Sequence, residues 1–221
     1  SMSMKWIACA WRAALACASA LLLASAPCAA SAQKFTLKQV FDYPFPYGLT
    51  AATHNNRIAW VFNVRGSRNV WVADGPDFVA RQVTHYTGDD GMPLASLRLT
   101  PDGATVVYAR GSETNAQGEV ADPTSSVKQP EQQVWAANVV DGKPRLLGTM
   151  NCAFEGCEDI QVSPDGKQAV WSGLHKLWLA SLSGEQPARS LAYIRGDNAQ
   201  PHWSPDGKQI AFVSNRGTHD L

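Results

Sequence analysis

The residues that could carry out chemistry in this chain are scattered along it, and their spacing matches no common catalytic or metal-binding motif. The sequence holds five histidines, and none of them sits in an H-E-x-x-H pattern or another ligand spacing. Asp89 and Asp90 could form a pair of carboxylates, but the glycine after them is more typical of a solvated turn. The sequence therefore predicts no catalytic residue, no cofactor and no metal site within this chain.

A second set of acidic residues recurs because the backbone needs it. Three segments repeat Ser or Thr followed by Pro-Asp-Gly and then by apolar residues. Proline presets φ and glycine takes a left-handed conformation, which predicts a type I turn followed by a glycine bulge between two strands. The aspartates are then turn residues, and calcium binding is the less favoured alternative. The predicted structural turns are Pro101, Asp102, Gly103, Pro164, Asp165, Gly166, Pro205, Asp206 and Gly207.

Two cysteines could form a covalent link. Cys152 and Cys157 lie close together in the run Asn-Cys-Ala-Phe-Glu-Gly-Cys. In an oxidising compartment we expect a disulfide between them, which would pin one turn and add about 2 kcal/mol by chain entropy. Zinc is the alternative, but the spacing is not C-x-x-C and no pair of histidines lies nearby in the sequence.

The elements that position these turns form a repeat of four short strands. A weaker copy of the segment, which lacks the proline, lies at 54–60. This copy and the turns at 101–103 and 164–166 are each followed by a strand that is apolar on both faces, then by a tryptophan-bearing strand and a short fourth strand, whereas the turn at 205–207 is followed by the apolar strand alone. A strand that is apolar on both faces must be buried on both sides, and stacked propeller blades provide that burial. A β-sandwich with reused turns is the alternative.

We therefore predict an all-β fold, a partial β-propeller of about three and a half four-stranded blades. An N-terminal segment at 33–48 precedes the incomplete propeller at 49–221. Since propellers usually close a ring of about four to eight blades, we expect that the chain is truncated and inclined to self-associate. The predicted blades are 49–88, 89–150, 151–195 and a partial one at 196–221.

One connection in the second blade is unusually long. Residues 111–132 are rich in Gly, Ser, Thr, Asn, Gln and Pro. Long loops are either functional or disordered. Disordered decoration is favoured, and a rim loop that touches a substrate or a partner domain is the alternative.

The first 32 residues have the order of charges and apolar residues that is typical of a signal peptide. Lys5 and Arg12 precede an apolar run, and small residues follow it up to Ala32. We predict a signal-peptide helix over 1–32, cleavage after Ala32, and a periplasmic or secreted product. A lipoprotein anchor at Cys28 and an uncleaved anchor helix are the alternatives. The net charge is zero, so neither nucleic acid nor, after cleavage, a membrane is an expected partner.

The mature chain resembles the propeller of secreted bacterial serine peptidases of the prolyl oligopeptidase and dipeptidyl peptidase IV family. The Ser-Pro-Asp-Gly turns alone are not specific, because TolB-like propellers share them. The opening Asp-Tyr-Pro-Phe-Pro and the late Asn-Arg-Gly are more telling. The segments that carry the resemblance are residues 35–46, 57–66, 69–73, 201–212 and 214–217.

This resemblance implies that the chain caps a C-terminal α/β-hydrolase domain and filters peptide substrates by size. In that family the hydrolase domain carries a Ser-Asp-His triad. The sequence has no G-x-S-x-G elbow, so we expect the chain alone to be inactive. It also has no Glu-Glu pair of the kind with which some members grip the amine of the substrate, so dipeptide release is not implied.

The expected partners are therefore the hydrolase domain and peptide substrates. The alternative is a non-enzymatic periplasmic propeller, similar to TolB, that binds a protein partner. Several arginines could reach carboxylates of a partner domain. They are Arg65, Arg68, Arg110, Arg195 and Arg216.

Overall fold

The structure, a computed structural model, describes residues 35–115, 119–150, 160–191 and 196–215. The predicted signal peptide and the pair Cys152 and Cys157 lie outside these ranges. The chain divides into two units, of which the first ends at Val40 and the second begins at Phe41. Within the described ranges no helix is long and apolar enough to cross a membrane.

A single short helix, α1 (Leu37–Phe41), lies at the start of the described chain. Its first turn is closed by a capping box. The backbone N–H of Gln39 donates to Thr36 Oγ1 over 3.2 Å, and the backbone N–H of Thr36 donates to Gln39 Oε1 over 2.9 Å. The Thr-x-x-Gln spacing therefore explains why so short a segment is helical.

The other regular elements of the described ranges are strands, which form antiparallel sheets in chain order. Sheet 1 contains β1 (Phe45–Ala51), β2 (Arg57–Val64), β3 (Ser67–Asp74) and β4 (Arg81–Gln82). Sheet 2 contains β5 (Leu94–Leu99), β6 (Thr105–Arg110), β7 (Gln133–Asn138) and β8 (Pro144–Thr149). Sheet 3 contains β9 (Gln161–Val162), β10 (Gln168–Gly173), β11 (Lys176–Ser181) and β12 (Arg189–Ser190). Sheet 4 contains β13 (Asp197–Trp203) and β14 (Ile210–Asn215).

The sheets stack around an axis that the first strand of each sheet lines. Strand β1 contacts β5, β5 contacts β9, and β9 contacts β13. Each sheet is a meander in which neighbours in sequence are neighbours in space. This arrangement is a partial β-propeller, as the repeated turns predicted, and a two-sheet sandwich does not describe it.

Alternation along the second strands places side chains in two separate cores. Val106 and Tyr108 belong to the cluster between sheets 1 and 2, whereas Val107 and Ala109 belong to the cluster between sheets 2 and 3. All four side chains are essentially inaccessible to solvent. The doubly apolar strand is therefore buried on both faces, because successive side chains point to opposite sides of a sheet.

The first sheet starts inside the stretch 33–48 that the sequence assigns to a separate N-terminal segment. Phe45, Pro46 and Tyr47 pair with the end of β2, and a bulge separates Tyr47 from Thr50. Proline is uncommon in strands, so the residues around Pro46 do not indicate a strand from sequence alone. This explains why the first sheet begins earlier than the sequence predicts.

Candidate functional site

The three repeated turns have the same internal hydrogen bonds. In the first of them Thr100 Oγ1 donates to Asp102 Oδ1 over 2.6 Å, and the N–H of Ala104 donates to the same oxygen over 3.0 Å. The N–H of Gly103 donates to the carbonyl of Thr100 over 2.8 Å, and Gly103 has a φ of 68°. A charged carboxylate is the better acceptor for these donors, so the hydroxyl of Thr100 is the main cause that lowers the pKa of Asp102.

The other two turns repeat this geometry with serine in place of threonine. Ser163 donates to Asp165 and Ser204 donates to Asp206, each over 2.6 Å. In both turns the serine hydroxyl is the largest cause that lowers the pKa of the aspartate. The turn aspartates therefore accept hydrogen bonds from their own turn, which gives them a structural role.

Consecutive turns also contact one another across the sheets. Asn55 Nδ2, in the connection before β2, donates to the carbonyl of Asp102 over 2.5 Å. Arg57 Nη1 donates to the carbonyl of Gly103 over 2.8 Å. A Cβ atom placed on Gly166 would lie 3.4 Å from Pro101 Cδ. The turns therefore form one end of the stack, where each sheet is attached to the next.

The opposite end of the stack carries charged residues, and we call it the rim. Because the strands are antiparallel, the connections from second to third strands and from sheet to sheet all lie at this end. Arg68 pairs with Asp89 over 3.2 Å, and Arg110 pairs with Asp90. Arg68 is part-buried and Asp89 is exposed, so the Asp89-Asp90 turn is solvated and paired with arginines at the same time.

Arg65 is also paired at this end of the structure. Its guanidinium contacts Asp42 Oδ1 at 2.6 Å. Three of the arginines that could have reached carboxylates of a partner domain thus bind aspartates of their own chain. The other two, Arg195 and Arg216, lie outside the described ranges.

A pair of tyrosines, of which Tyr108 is buried and Tyr86 is part-buried, supports the rim from below. The hydroxyls of Tyr86 and Tyr108 lie 2.8 Å apart, and the guanidinium carbon of Arg110 lies 4.5 Å from the centroid of the Tyr86 ring. Burial is the main cause that raises the pKa of both tyrosines. Both phenols therefore stay protonated at neutral pH, and the ring of Tyr86 holds Arg110 by a cation–π contact.

Asn69 fixes the backbone of Tyr86. Its Nδ2 donates to the carbonyl of Tyr86 over 2.9 Å, and its Oδ1 accepts from the N–H of Tyr86 over 2.7 Å. Thr84 Oγ1 donates to the same Oδ1 over 3.0 Å. Sequence reasoning did not identify Asn69, Thr84, Tyr86 or Tyr108, since no motif links these residues, which lie 15 or more positions apart along the chain wherever they contact. The one available signal was a polar residue, Asn69, at a position of β3 that must be buried.

The described part of the 111–132 segment folds back over the rim. The N–H of Gly111 donates to the carbonyl of Pro93 over 3.0 Å, and Pro123 lies against Gly91. Thr114 and Val120 form a β-bridge, and both are buried. These residues are more structured than the expected disordered decoration, because their turns pair with each other and with the neighbouring connection.

A cleft of about 230 Å³ lies between this segment and Arg110. Arg110 and Lys128 supply positive charge, Glu131 supplies a negative charge, and Gln129 and Gln133 supply amides. These groups can bind the carboxylates and amides of a peptide-like ligand. Among the described residues no group of three or more His, Cys, Asp or Glu side chains could hold a metal ion.

The fold places this chain in the class of β-propellers, and the described residues form part of one propeller. No family model matches the sequence, and no curated protein matches it. Several solved structures do resemble it in fold.

Three of these structures represent the range of similar proteins. An oligogalacturonate lyase in complex with manganese is 17% identical, with a TM-score of 0.51 over 77% of this chain and 45% of that one. A prolyl endopeptidase is 15% identical, with a TM-score of 0.51 over 80% of this chain and 27% of that one. TolB from Acinetobacter baumannii is 20% identical, with a TM-score of 0.47 over 75% and 38% of the two chains. The chain thus spans less than half of each, and at these identities the likeness concerns the fold alone.

Proposed function

We propose that this chain is the propeller portion of a secreted serine peptidase of the prolyl oligopeptidase family. In this role it positions peptides for an α/β-hydrolase domain and excludes larger substrates. The sequence segments at 35–46, 57–66 and 201–217 support the proposal by their resemblance to that family. The prolyl endopeptidase is consistent with it as a protein of similar fold.

The cleft beside Arg110 is the observation on which the proposal depends most. It lies at the rim, beside the long connection between β6 and β7. Asp90 and Tyr86 hold the guanidinium of Arg110 in place, so its remaining N–H groups have a fixed orientation for a peptide carbonyl or carboxylate. Lys128 brings a second positive charge to the same cleft. The chain would act by binding and steric exclusion, with all bond breaking left to the hydrolase domain.

A pair of lysine variants tests this role in the protein that carries both domains. Lys128→Ala removes a charge from the cleft, and Lys143→Ala removes the same charge from the turn end of the stack. For a short peptide with a free carboxylate we expect Lys128→Ala to raise KM by about 3–10-fold with kcat unchanged. Lys143→Ala is expected to change neither constant. Equal effects of the two variants would contradict the proposed place of the substrate.

The sequence encoded after Leu221 tests the domain organisation directly. The proposal predicts a G-x-S-x-G segment followed by Asp and His in that order. Further blades with no hydrolase domain would instead support the alternative, a propeller that binds a protein partner. Export is tested separately by N-terminal sequencing of the exported protein, whose first residue is expected to be Gln33.

A further inference from the structure

A carboxylate, that of Glu131, also lines the cleft beside Arg110. Arg110 lies directly opposite Gln133 in the β6–β7 pair, and both residues line the cleft. Glu131 precedes Gln133 by two positions, so their Cα atoms lie at most about 7 Å apart. The guanidinium and the carboxylate therefore come from neighbouring positions in one wall of the cleft.

The backbone at Gly111 holds Glu131 next to Arg110. Gly111 has a φ of 112°, and a Cβ atom placed on it would lie 2.8 Å from the carbonyl oxygen of Glu131 and 3.0 Å from Gln132 Cα. The two ends of the long β6–β7 connection are therefore in direct contact. Gln132 is buried, and its carbonyl accepts a hydrogen bond from the N–H of Met150 over 2.7 Å. The position of Glu131 in the cleft thus depends on buried backbone contacts at the end of the connection.

The charges of the cleft do not neutralise one another. In the part of the chain that the structure describes, neither Lys128 nor Glu131 forms an ion pair, although both line the same cleft. Arg110 pairs with Asp90 and not with Glu131. The cleft therefore presents cations and an anion that are separated, and each of them can bind a group of opposite charge on a ligand.

The size of the cleft limits the ligand to a small molecule or to the end of a peptide chain. Pockets for drug-sized ligands measure about 300–1,000 Å³, whereas this cleft measures about 230 Å³. The amide of Gln133 lies beside the charged groups and can form hydrogen bonds with a peptide group. A ligand of one or two amino-acid residues therefore fits both the volume and the polar groups of the cleft.

We propose that the cleft binds a zwitterion of one or two residues, whose carboxylate contacts Arg110 and Lys128 and whose cationic group contacts Glu131. A free dipeptide supplies its α-ammonium group as the cation, and a peptide that ends in lysine supplies its side-chain ammonium group. Glu131 is then the specificity-determining residue of the cleft, because it attracts ligands that carry the cation and repels ligands that carry a second carboxylate there. The inference rests on the proposed function only for the peptide nature of the ligand.

Titration calorimetry of the full 221-residue chain with three probes tests the proposal. Alanyl-alanine carries a carboxylate and an α-ammonium group, Nα-acetyl-lysine carries a carboxylate and a side-chain ammonium group, and N-acetyl-alanine carries the carboxylate alone. We expect at least one of the first two probes to bind about 2–5-fold more tightly than N-acetyl-alanine, which is the gain from one solvent-exposed charge pair. Glu131→Gln should abolish this preference without weakening the binding of N-acetyl-alanine.

Glu113→Gln is the matched control, because Glu113 is an exposed carboxylate of the same connection and lines a different cleft. It is expected to keep the preference. A preference for alanyl-alanine supports a free dipeptide as the ligand, and a preference for Nα-acetyl-lysine supports a C-terminal lysine. The proposal is overturned if no probe binds, if all three bind equally, if Glu131→Gln keeps the preference, or if Glu113→Gln abolishes it.

Failure of the proposed peptidase role has a different result. In that case the 221-residue chain prefers the zwitterionic probes and loses the preference in Glu131→Gln, but Lys128→Ala leaves KM unchanged in the protein that carries both domains. If instead Lys128→Ala raises KM and the three probes bind the chain equally, the peptidase role stands and the role of Glu131 is refuted.

Discussion

Replacing Gly103 by alanine tests whether contacts between consecutive turns hold the sheets together. Gly103 is buried and has a φ of 68°. An alanine in this left-handed region costs about 1–2 kcal/mol on its own. A Cβ atom there would also lie 3.0 Å from Asn55 Nδ2 and 3.2 Å from Arg57 Cδ.

Those close contacts set the size of the expected effect. Asn55 and Arg57 must move, and their hydrogen bonds to the carbonyls of Asp102 and Gly103 weaken. At about 1 kcal/mol for each hydrogen bond, the total destabilisation is about 3–4 kcal/mol.

Gly88 provides a matched control for the backbone strain. Its φ is 76°, and a Cβ atom placed on it would meet nothing within 4 Å. Gly88→Ala should therefore cost only the strain, about 1–2 kcal/mol. In thermal unfolding followed by circular dichroism, we expect Tm of Gly103→Ala to lie about 4–8 °C below that of Gly88→Ala. Adding Asn55→Ala should reduce this difference, because the clash is relieved. Equal Tm values for the two glycine variants would refute the reasoning.

Three further predictions concern the cores and the turn aspartates. Tyr86→Phe should lower the free energy of unfolding by about 1–3 kcal/mol, because it leaves the fully buried Tyr108 hydroxyl without its partner. Tyr108→Phe should lower it by less, because water can reach the part-buried Tyr86. Urea unfolding of both variants checks this order, and a larger loss of stability for Tyr108→Phe would contradict it. Trp171→Ala should lower the free energy of unfolding by about 3–5 kcal/mol, and Trp60→Ala should lower it by clearly less, because Trp171 is 0% exposed and Trp60 is only partly buried. Equal losses of stability in urea unfolding would show that burial does not distinguish the two positions. The turn aspartates have lowered pKa values in the folded state, so their stabilisation is present above the unfolded pKa of about 4 and is lost as pH falls below it. Replacing all three by asparagine should flatten the dependence of Tm on pH in that acidic range, and an unchanged acidic slope would contradict this assignment.

The sequence was sufficient for the fold because the information for it is local. Proline and glycine fix the turn at 101–103, and the apolar alternation after it places Val106 and Val107 in different cores. The repeat of this unit then predicts stacked sheets. The function of the aspartates as acceptors within their own turn follows from the same short segment.

The rim could not be predicted in the same way, because its contacts join residues that are distant in sequence. Tyr86 meets Tyr108 across two sheets, and Arg110 meets Asp90 across a connection of variable length. Asn55 contacts the next turn although its own segment lacks the proline of the repeat. Such pairs depend on how the sheets are rotated about the axis, and no local pattern encodes that rotation.

Contacts between equivalent turns measure the radial stacking most directly. In the structure a Cβ atom on Gly166 would lie 3.4 Å from Pro101 Cδ, and one on Gly207 would lie 3.6 Å from Pro164 Cδ. We therefore expect nuclear Overhauser contacts between the Hα protons of each glycine and the Hδ protons of the proline in the preceding turn. In one continuous flat sheet these turns would lie four strands apart, about 19 Å at the usual strand spacing. Absence of both contacts in an assigned spectrum of the folded chain would contradict the propeller arrangement.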